Sequence, residues 1–277
     1  MIRREAARTI SITSGKGGVG KSTLVANTAV KLADAGRRIL LLDGDFGMAN
    51  LDIIFGVTAA ATQGSLADVV AGQASIDDII VRASSGVDLI PGGSGLSSLQ
   101  HLNGPQKQRL LDQVSSLAFD YDLMFVDTAP GLADHVLYLN SAAQEIAVVV
   151  TPDPASLADS YALIKVLNQR CREERFTVIC NQVKDEEDGK RLFLRLTEVA
   201  SRFLSVRLEY GGSVPTDPIL RQCTRLRQLV SVEQPDSPSV AAMARIGRRF
   251  EGLPAQAEPK GGLQFFWNQL VSAPALA

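Results

Sequence analysis

SGKGGVGKST, spanning Ser14–Thr23, is the stretch that decides the reading of this chain. Gly15, four intervening residues, Gly20, Lys21 and Ser22 fit GxxxxGK followed by Ser or Thr, the spacing of a phosphate-binding loop. The glycines let successive backbone N–H groups converge on an anionic phosphate chain, and the helix that follows offers its positive dipole end. Lys21 would reach the β- and γ-phosphates, and the Ser22 hydroxyl would ligate Mg²⁺. The flanks agree: Thr9–Thr13 reads as a strand, and Leu24–Ala33 as a helix ended by Gly36. Lys16 adds a second cation close to Lys21. That is unfavourable unless the ligand brings more anionic charge than one lysine needs.

The rest of the chain bounds the setting. With 277 residues there is length for one large α/β domain or two small ones. Apolar residues at 45% and charged ones at 21% are ordinary globular values, and a net charge of −2 provides no global basic field to recruit nucleic acid or anionic lipid. Cys171, Cys180 and Cys223 are isolated, without a CxxC pair, which argues against zinc or iron–sulfur and for reduced, packed thiols. MIRREAARTI has no secretory apolar segment, and no apolar run reaches the ~18 residues of a membrane span. The sequence therefore reads as cytosolic.

Two further segments carry carboxylates. Arg38–Asp43 is a continuous apolar run, as in a strand buried on both faces, and it ends in DGDFGMANLDIIFG, Asp43–Gly56. Carboxylates at the C-terminal end of such a strand lie where ligands of open α/β sheets bind. Tyr121–Val126 is a second apolar run, ending in DTAPGLAD, Asp127–Asp134. A strand-end Asp of this kind is either a carboxylate that holds Mg²⁺, usually through a water, or a simple strand terminus. Short helices are expected at Ser65–Val70 and Ile76–Ile80, and a strand at Val87–Pro91. A helix should begin at Pro105, a strand cover Glu145–Thr151, a helix Ser156–Gln169 and a strand Arg175–Asn181. This βαβα alternation implies a doubly wound, mostly parallel sheet with helices on both faces.

The KGGVGKST form resembles the deviant phosphate loop of the MinD/ParA (SIMIBI) ATPases, in which the lysine equivalent to Lys16 crosses a dimer interface to the partner's nucleotide. DGDFGMANLDIIFG resembles that family's switch I, DxDxGxxNLD, and DTAPG its switch II. The resemblance covers essentially the whole chain. It implies a P-loop fold, ATP/ADP and Mg²⁺ as cofactors, and hydrolysis of ATP by a homodimer that forms with ATP. Gly15, Lys16, Gly17, Gly18, Val19, Gly20, Lys21, Ser22 and Thr23 would hold the phosphates, and Ser22, Asp43 and Asp127 would support the metal. Asp45 would position the attacking water with Lys16 and Lys21 as its catalytic partners, and Asn50 and Asp52 would stabilise the switch. Asn181 would read the adenine edge, and Pro215 and Asp217 would form the other side of the base pocket, largely through backbone.

Within that family the string DGDFGMANLDIIFG, the segment DPASLADSYALIKVLN (Asp153–Asn168) and the end GGLQFFWNQLV (Gly261–Val271) are most similar to the FlhG (FleN) regulators of flagellar number and placement. The resemblance implies flagellar assembly or regulatory proteins as partners. MIRREAAR does not match the DQAxxLR-like motif with which that subfamily stimulates its GTPase partner. Residues 1–252 are expected to be the ATPase domain, 253–261 a Pro-containing linker, and 262–272 an amphipathic helix. In that helix Leu263, Phe266, Trp267, Leu270 and Val271 form one apolar stripe. It suits either docking on protein or peripheral contact with the inner face of the cell membrane or a pole. A ParA-type alternative, partitioning DNA or cargo, would use Arg221, Arg225, Arg227, Arg245, Arg248 and Arg249 as a basic patch, and a MinD-like division-site regulator is a further alternative. A nucleotide-gated scaffold that hydrolyses negligibly would have no need of Asp45.

Overall fold

The computed structural model describes residues 7–45, 50–57, 64–92, 103–117, 120–252 and 263–272. Along the chain come β1 (Arg8–Thr13), α1 (Lys21–Asp34), β2 (Ile39–Gly44), α2 (Leu51–Phe55), α3 (Leu66–Ala71), β3 (Val81–Ser84), β4 (Val87–Ile90) and α4 (Gly104–Leu117). Then follow β5 (Leu123–Thr128), α5 (Asp134–Ala142), β6 (Glu145–Val150), α6 (Pro154–Cys171), β7 (Arg175–Val183), α7 (Glu186–Phe203), β8 (Arg207–Pro215), α8 (Pro218–Arg225), α9 (Val230–Glu233), α10 (Pro238–Gly252) and α11 (Leu263–Ser272). The strands form one eight-stranded sheet in the order β3-β4-β2-β5-β1-β6-β7-β8. Every pairing is parallel except β3 with β4. This is the doubly wound, mostly parallel sheet that the alternation predicts.

Period-two side-chain alternation in buried strands builds both layers. Ile10, Ile12, Ile39, Leu41 and Phe125 pack with Leu24 and Val25 of α1 and with Met243, Ile246 and Phe250 of α10. Their sequence neighbours Leu40, Leu42, Met124 and Val126 point to the opposite face, under α3, α4, α5 and α11. On that same face Val148, Val150, Val178 and Cys180 lie under α6 and α7. One expectation fails locally. Ile76–Ile80 is only a 3-10 turn, Asp77–Ile79, and leads into β3, a strand too short to show periodicity in the sequence.

The central strand β1 breaks the apolar rule, since Thr9, Ser11 and Thr13 are all buried. Buried hydroxyls are tolerated when hydrogen-bonded; Gln144 N–H donates to Thr9 Oγ1 at 3.1 Å, and Asn140 of α5 partners Ser11 and Thr13. Ser11 Oγ donates to Asn140 Oδ1 at 2.8 Å, Asn140 Nδ2 donates to Thr13 Oγ1 at 3.2 Å, and Thr128 Oγ1 donates to Thr13 Oγ1 at 2.9 Å. The ends of β1 and β5 are thereby fixed to each other and to α5, directly behind the phosphate loop.

Helix α11 packs on the body of the chain, against α4, α5 and β1. Phe266 and Trp267 are both 0% exposed, with their rings edge-to-face at a centroid distance of 5.7 Å. Trp267 Nε1 is buried with no hydrogen-bond partner, a loss of about 1–3 kcal/mol set against the apolar gain. The linker expected at 253–261, and residue 262 of the expected helix, lie outside the described residues. Because Trp267 is the chain's one tryptophan, its emission reports this dock. Phe266→Ala, a truncation costing about 3–5 kcal/mol, is expected to red-shift that emission and open it to acrylamide quenching. Unchanged emission would refute the packing described.

Candidate nucleotide-binding site

The phosphate loop follows β1 and opens α1, as its spacing requires. Gly20 is the residue before α1, in the left-handed conformation at φ 90°, and no side chain caps the helix, so the first-turn N–H groups stay open to an anion. A side chain at Gly20 is excluded twice over, since a Cβ there would stand 2.6 Å from Asn181 Nδ2. At the loop's other end Gly15 lies against α6, where a Cβ would come within 2.1 Å of the Asp159 carbonyl oxygen. The loop is thus seated between β7 and α6. Switch II is attached to it as well, through Gly131 N–H donating to the Ser14 carbonyl at 3.0 Å.

Parallel pairing brings the strand-end carboxylates together. Asp43 of β2 is in register with Asp127 of β5, which is itself abreast of Ile12 of β1. Asp127 is fully buried; burial pushes its carboxyl up to about 7, opposed by a hydrogen bond from Ser22 and by the Lys21 charge. Its Oδ1 has no hydrogen-bond partner. A buried carboxylate oxygen without a partner, next to a hydroxyl ligand, suits a Mg²⁺ shell. Among the described residues no cluster of three or more His, Cys, Asp or Glu side chains forms a cage for a metal. Lys21 is 7% exposed, and burial lowers its pKa against the attraction of Asp127 and Asp45.

Asp43 also ties down the backbone that follows β2. Its two oxygens accept from the backbone N–H groups of Asp45 at 3.1 Å, Asn50 at 3.0 Å and Leu51 at 3.1 Å, which closes the start and end of switch I onto one side chain. Burial raises its pKa, and those three donors oppose the rise. Phe46–Ala49, the middle of the switch string, lies outside the described residues. Lys16 behaves unlike Lys21. Its side chain is 41% exposed and its ammonium donates to Asp153, at the start of α6.

The expected base pocket is a cavity of about 420 Å³ between β7, β8 and α8, lined in part by Gly20, Asn181, Pro215, Asp217, Leu220 and Arg221. Asn181 has taken partners already: Nδ2 donates to the Val19 carbonyl at 2.7 Å, and Oδ1 accepts from Gln182 N–H at 2.9 Å. One donor hydrogen and one lone pair remain for a ligand. The Asp217 carboxylate is turned away from base recognition. It caps α8 through Ile219 N–H at 2.8 Å and accepts from Ser239 Oγ at 2.7 Å. The six arginines of the alternative basic patch are divided: Arg221 and Arg225 line the pocket, while Arg249 is half-buried and ion-paired with Glu209. Asn140 and Asp153 escaped the sequence reading. The signal for the first was an Asn inside an apolar helical run, and for the second an Asp-Pro helix start.

A phosphate loop at the end of the central strand, two strand-end carboxylates abreast of it and two switch segments tied to it define a nucleoside-triphosphatase of the P-loop class. Residues 7–177 match the family described as an AAA domain, and the chain belongs to the MinD/ParA-like family of ATPases. It is 39% identical over 266 residues to the antiactivator FleN of Pseudomonas aeruginosa, covering 96% of this chain and 94% of that protein. It is 33% identical to the flagellum site-determining protein YlxH of Helicobacter pylori, with 95% and 89% covered. Among solved structures, MinD of Pyrococcus horikoshii complexed with Mg-ADP superposes with a TM-score of 0.66 at 27% identity, covering 89% of this chain and 96% of that one. The Aquifex aeolicus MinC:MinD complex gives 0.69 at 25% identity, covering 91% and 99%. Among the described residues no helix is long and apolar enough to cross a membrane.

Proposed function

We propose that this chain is an ATP-dependent dimerisation switch that regulates flagellar number or placement. The observation that carries the switch is the unequal treatment of the loop's two lysines. Lys21 is buried against the carboxylates of its own site, whereas Lys16 stands at the surface outside it. A lysine so placed serves a second site better than its own, and in a two-fold dimer that site is the partner's nucleotide. The flagellar assignment rests on the likeness to FleN and YlxH over nearly the full chain.

In this reading residues 1–252 form the ATPase domain. The loop N–H groups and Lys21 hold the phosphates, and Ser22 with Asp127 would hold the metal, which would supply charge neutralisation at the phosphates. Asp43 organises switch I and so places Asp45, which orients the attacking water. Lys16 of one protomer stabilises charge developing on the γ-phosphate of the other, in the manner of an arginine finger. Asn181 and the backbone at Pro215 and Asp217 hold the base. Loss of the γ-phosphate removes what both switches and the partner's Lys16 grip, so ADP favours monomers. Flagellar assembly or regulatory proteins are the partners this assignment implies. The chain is cytoplasmic, and α11 is the route to peripheral membrane contact, because its dock contains an unpartnered indole N–H.

Solution mass by light scattering tests the switch. Asp45→Ala is expected to be monomeric with Mg-ADP and dimeric with Mg-ATP, because it binds but does not turn over. A mass indifferent to nucleotide would overturn the proposal.

A further inference from the structure

The ion pair between Lys16 and Asp153 is built from both sides. Asp153 is the N-cap of α6, where Oδ1 accepts from Ala155 N–H at 3.1 Å and Oδ2 faces the lysine. The loop backbone is pressed against α6 at Gly15 and Asp159, so the root of Lys16 has a fixed position over that helix. Asp159 adds a second negative charge within reach of the ammonium, weaker than that of Asp153. Lys16 therefore sits over an acidic helix start of its own protomer, held by a carboxylate whose direction is set by capping.

We propose that Asp153 is a positioning residue that holds Lys16 in cis, so that dimerisation requires each lysine to exchange this carboxylate for the partner's phosphates. This rests on the reading of Lys16 as the group that crosses between protomers. Asp153 then sets the threshold of the switch. With ADP the carboxylate competes successfully for the lysine, and with ATP the additional γ-phosphate charge outbids it. A half-exposed ion pair is weak, at most about fivefold in an equilibrium. A symmetric dimer exchanges two of them and their factors multiply, so about twenty-fivefold is the ceiling on the dimerisation constant and about tenfold is the expected effect.

The test is sedimentation of the full chain with Mg-ATP in the Asp45→Ala background, comparing Asp153 with Asp153→Asn. Asn caps helices as well as Asp does, so α6 is retained while the charge is lost. Asp153→Asn is expected to tighten the dimer about tenfold, with no fall in nucleotide-free melting temperature. The advantage should shrink as salt is raised, a dependence that a purely capping role would not produce. A dimer constant within twofold of the parent, or a weaker dimer, would overturn the proposal. If that result came with a parent dimer that Lys16→Ala abolishes, the cis hold alone would fail. A parent that never dimerises with ATP would overturn both the cis hold and the crossing lysine.

Discussion

Lys16→Ala is expected to lower ATP turnover by about three orders of magnitude while leaving nucleotide affinity of the monomer nearly unchanged. The magnitude is that of removing a charge supplied in trans to a transferring phosphoryl group, roughly 10³–10⁵ in rate. The separation of effects comes from geometry. Lys16 lies 41% exposed on Asp153, so its loss removes no contact that a monomer makes with its own phosphates. Lys21 is buried beside Asp127 and Asp45, and Lys21→Ala should instead abolish binding itself. Single-turnover hydrolysis and titration with a fluorescent ATP analogue distinguish the two variants. Equal loss of binding in both would mean that Lys16 serves its own site and that no lysine crosses. Mixing provides a stricter check. An Asp45→Ala protomer that keeps Lys16 should restore turnover to a Lys16→Ala protomer that keeps Asp45, because the latter's site then combines its own Asp45 with the former's Lys16, one working site in each mixed dimer.

The phosphate loop was legible because its chemistry is local: ten consecutive residues carry the turn, the anion hole and both lysines. Strand-end aspartates were legible as carboxylates near phosphate, but the work of Asp43 was not. Which backbone N–H groups return to it depends on how switch I folds back, and no residue spacing encodes that return. Asn181 was read as a base contact, yet its amide also braces the Val19 carbonyl, a link made by the neighbouring positions of β1 and β7 on either side of β6. The cis partner of Lys16 was invisible for the same reason, since Asp153 meets the loop only through the seating of Gly15 on α6. For α11 the apolar stripe was plain while its destination was not, because an amphipathic helix suits lipid and protein surfaces alike. In the structure the groove between α4 and α5 holds it, burying Phe266 and Trp267 completely.

Asp127→Asn is expected to stabilise the nucleotide-free protein at alkaline pH while weakening its hold on Mg-ATP, two effects of opposite sign from one carboxylate. Burial pushes the Asp127 carboxyl from an ordinary 3.8 up to about 7. A folded-state pKa above the unfolded one means that folding favours the protonated form. The stability it contributes is fully present below about pH 3.8 and is lost as pH rises to about 7. At pH 8 the charge, only partly compensated by Ser22 and Lys21, then costs on the order of 4 kcal/mol, which an isosteric amide removes. The melting temperature of Asp127→Asn should therefore exceed that of the parent at pH 8 and converge with it near pH 4. Binding should move the other way. An amide is a poorer outer partner for a divalent ion, a change that typically lowers metal affinity about 10–100-fold, so the Mg²⁺ dependence of ATP affinity should largely vanish. Thermal melts across pH and ATP titrations with and without Mg²⁺ measure both arms. A variant less stable than the parent at pH 8 would show that Asp127 is compensated by Lys21 even in the empty site, and its Oδ1 would then no longer argue for a metal.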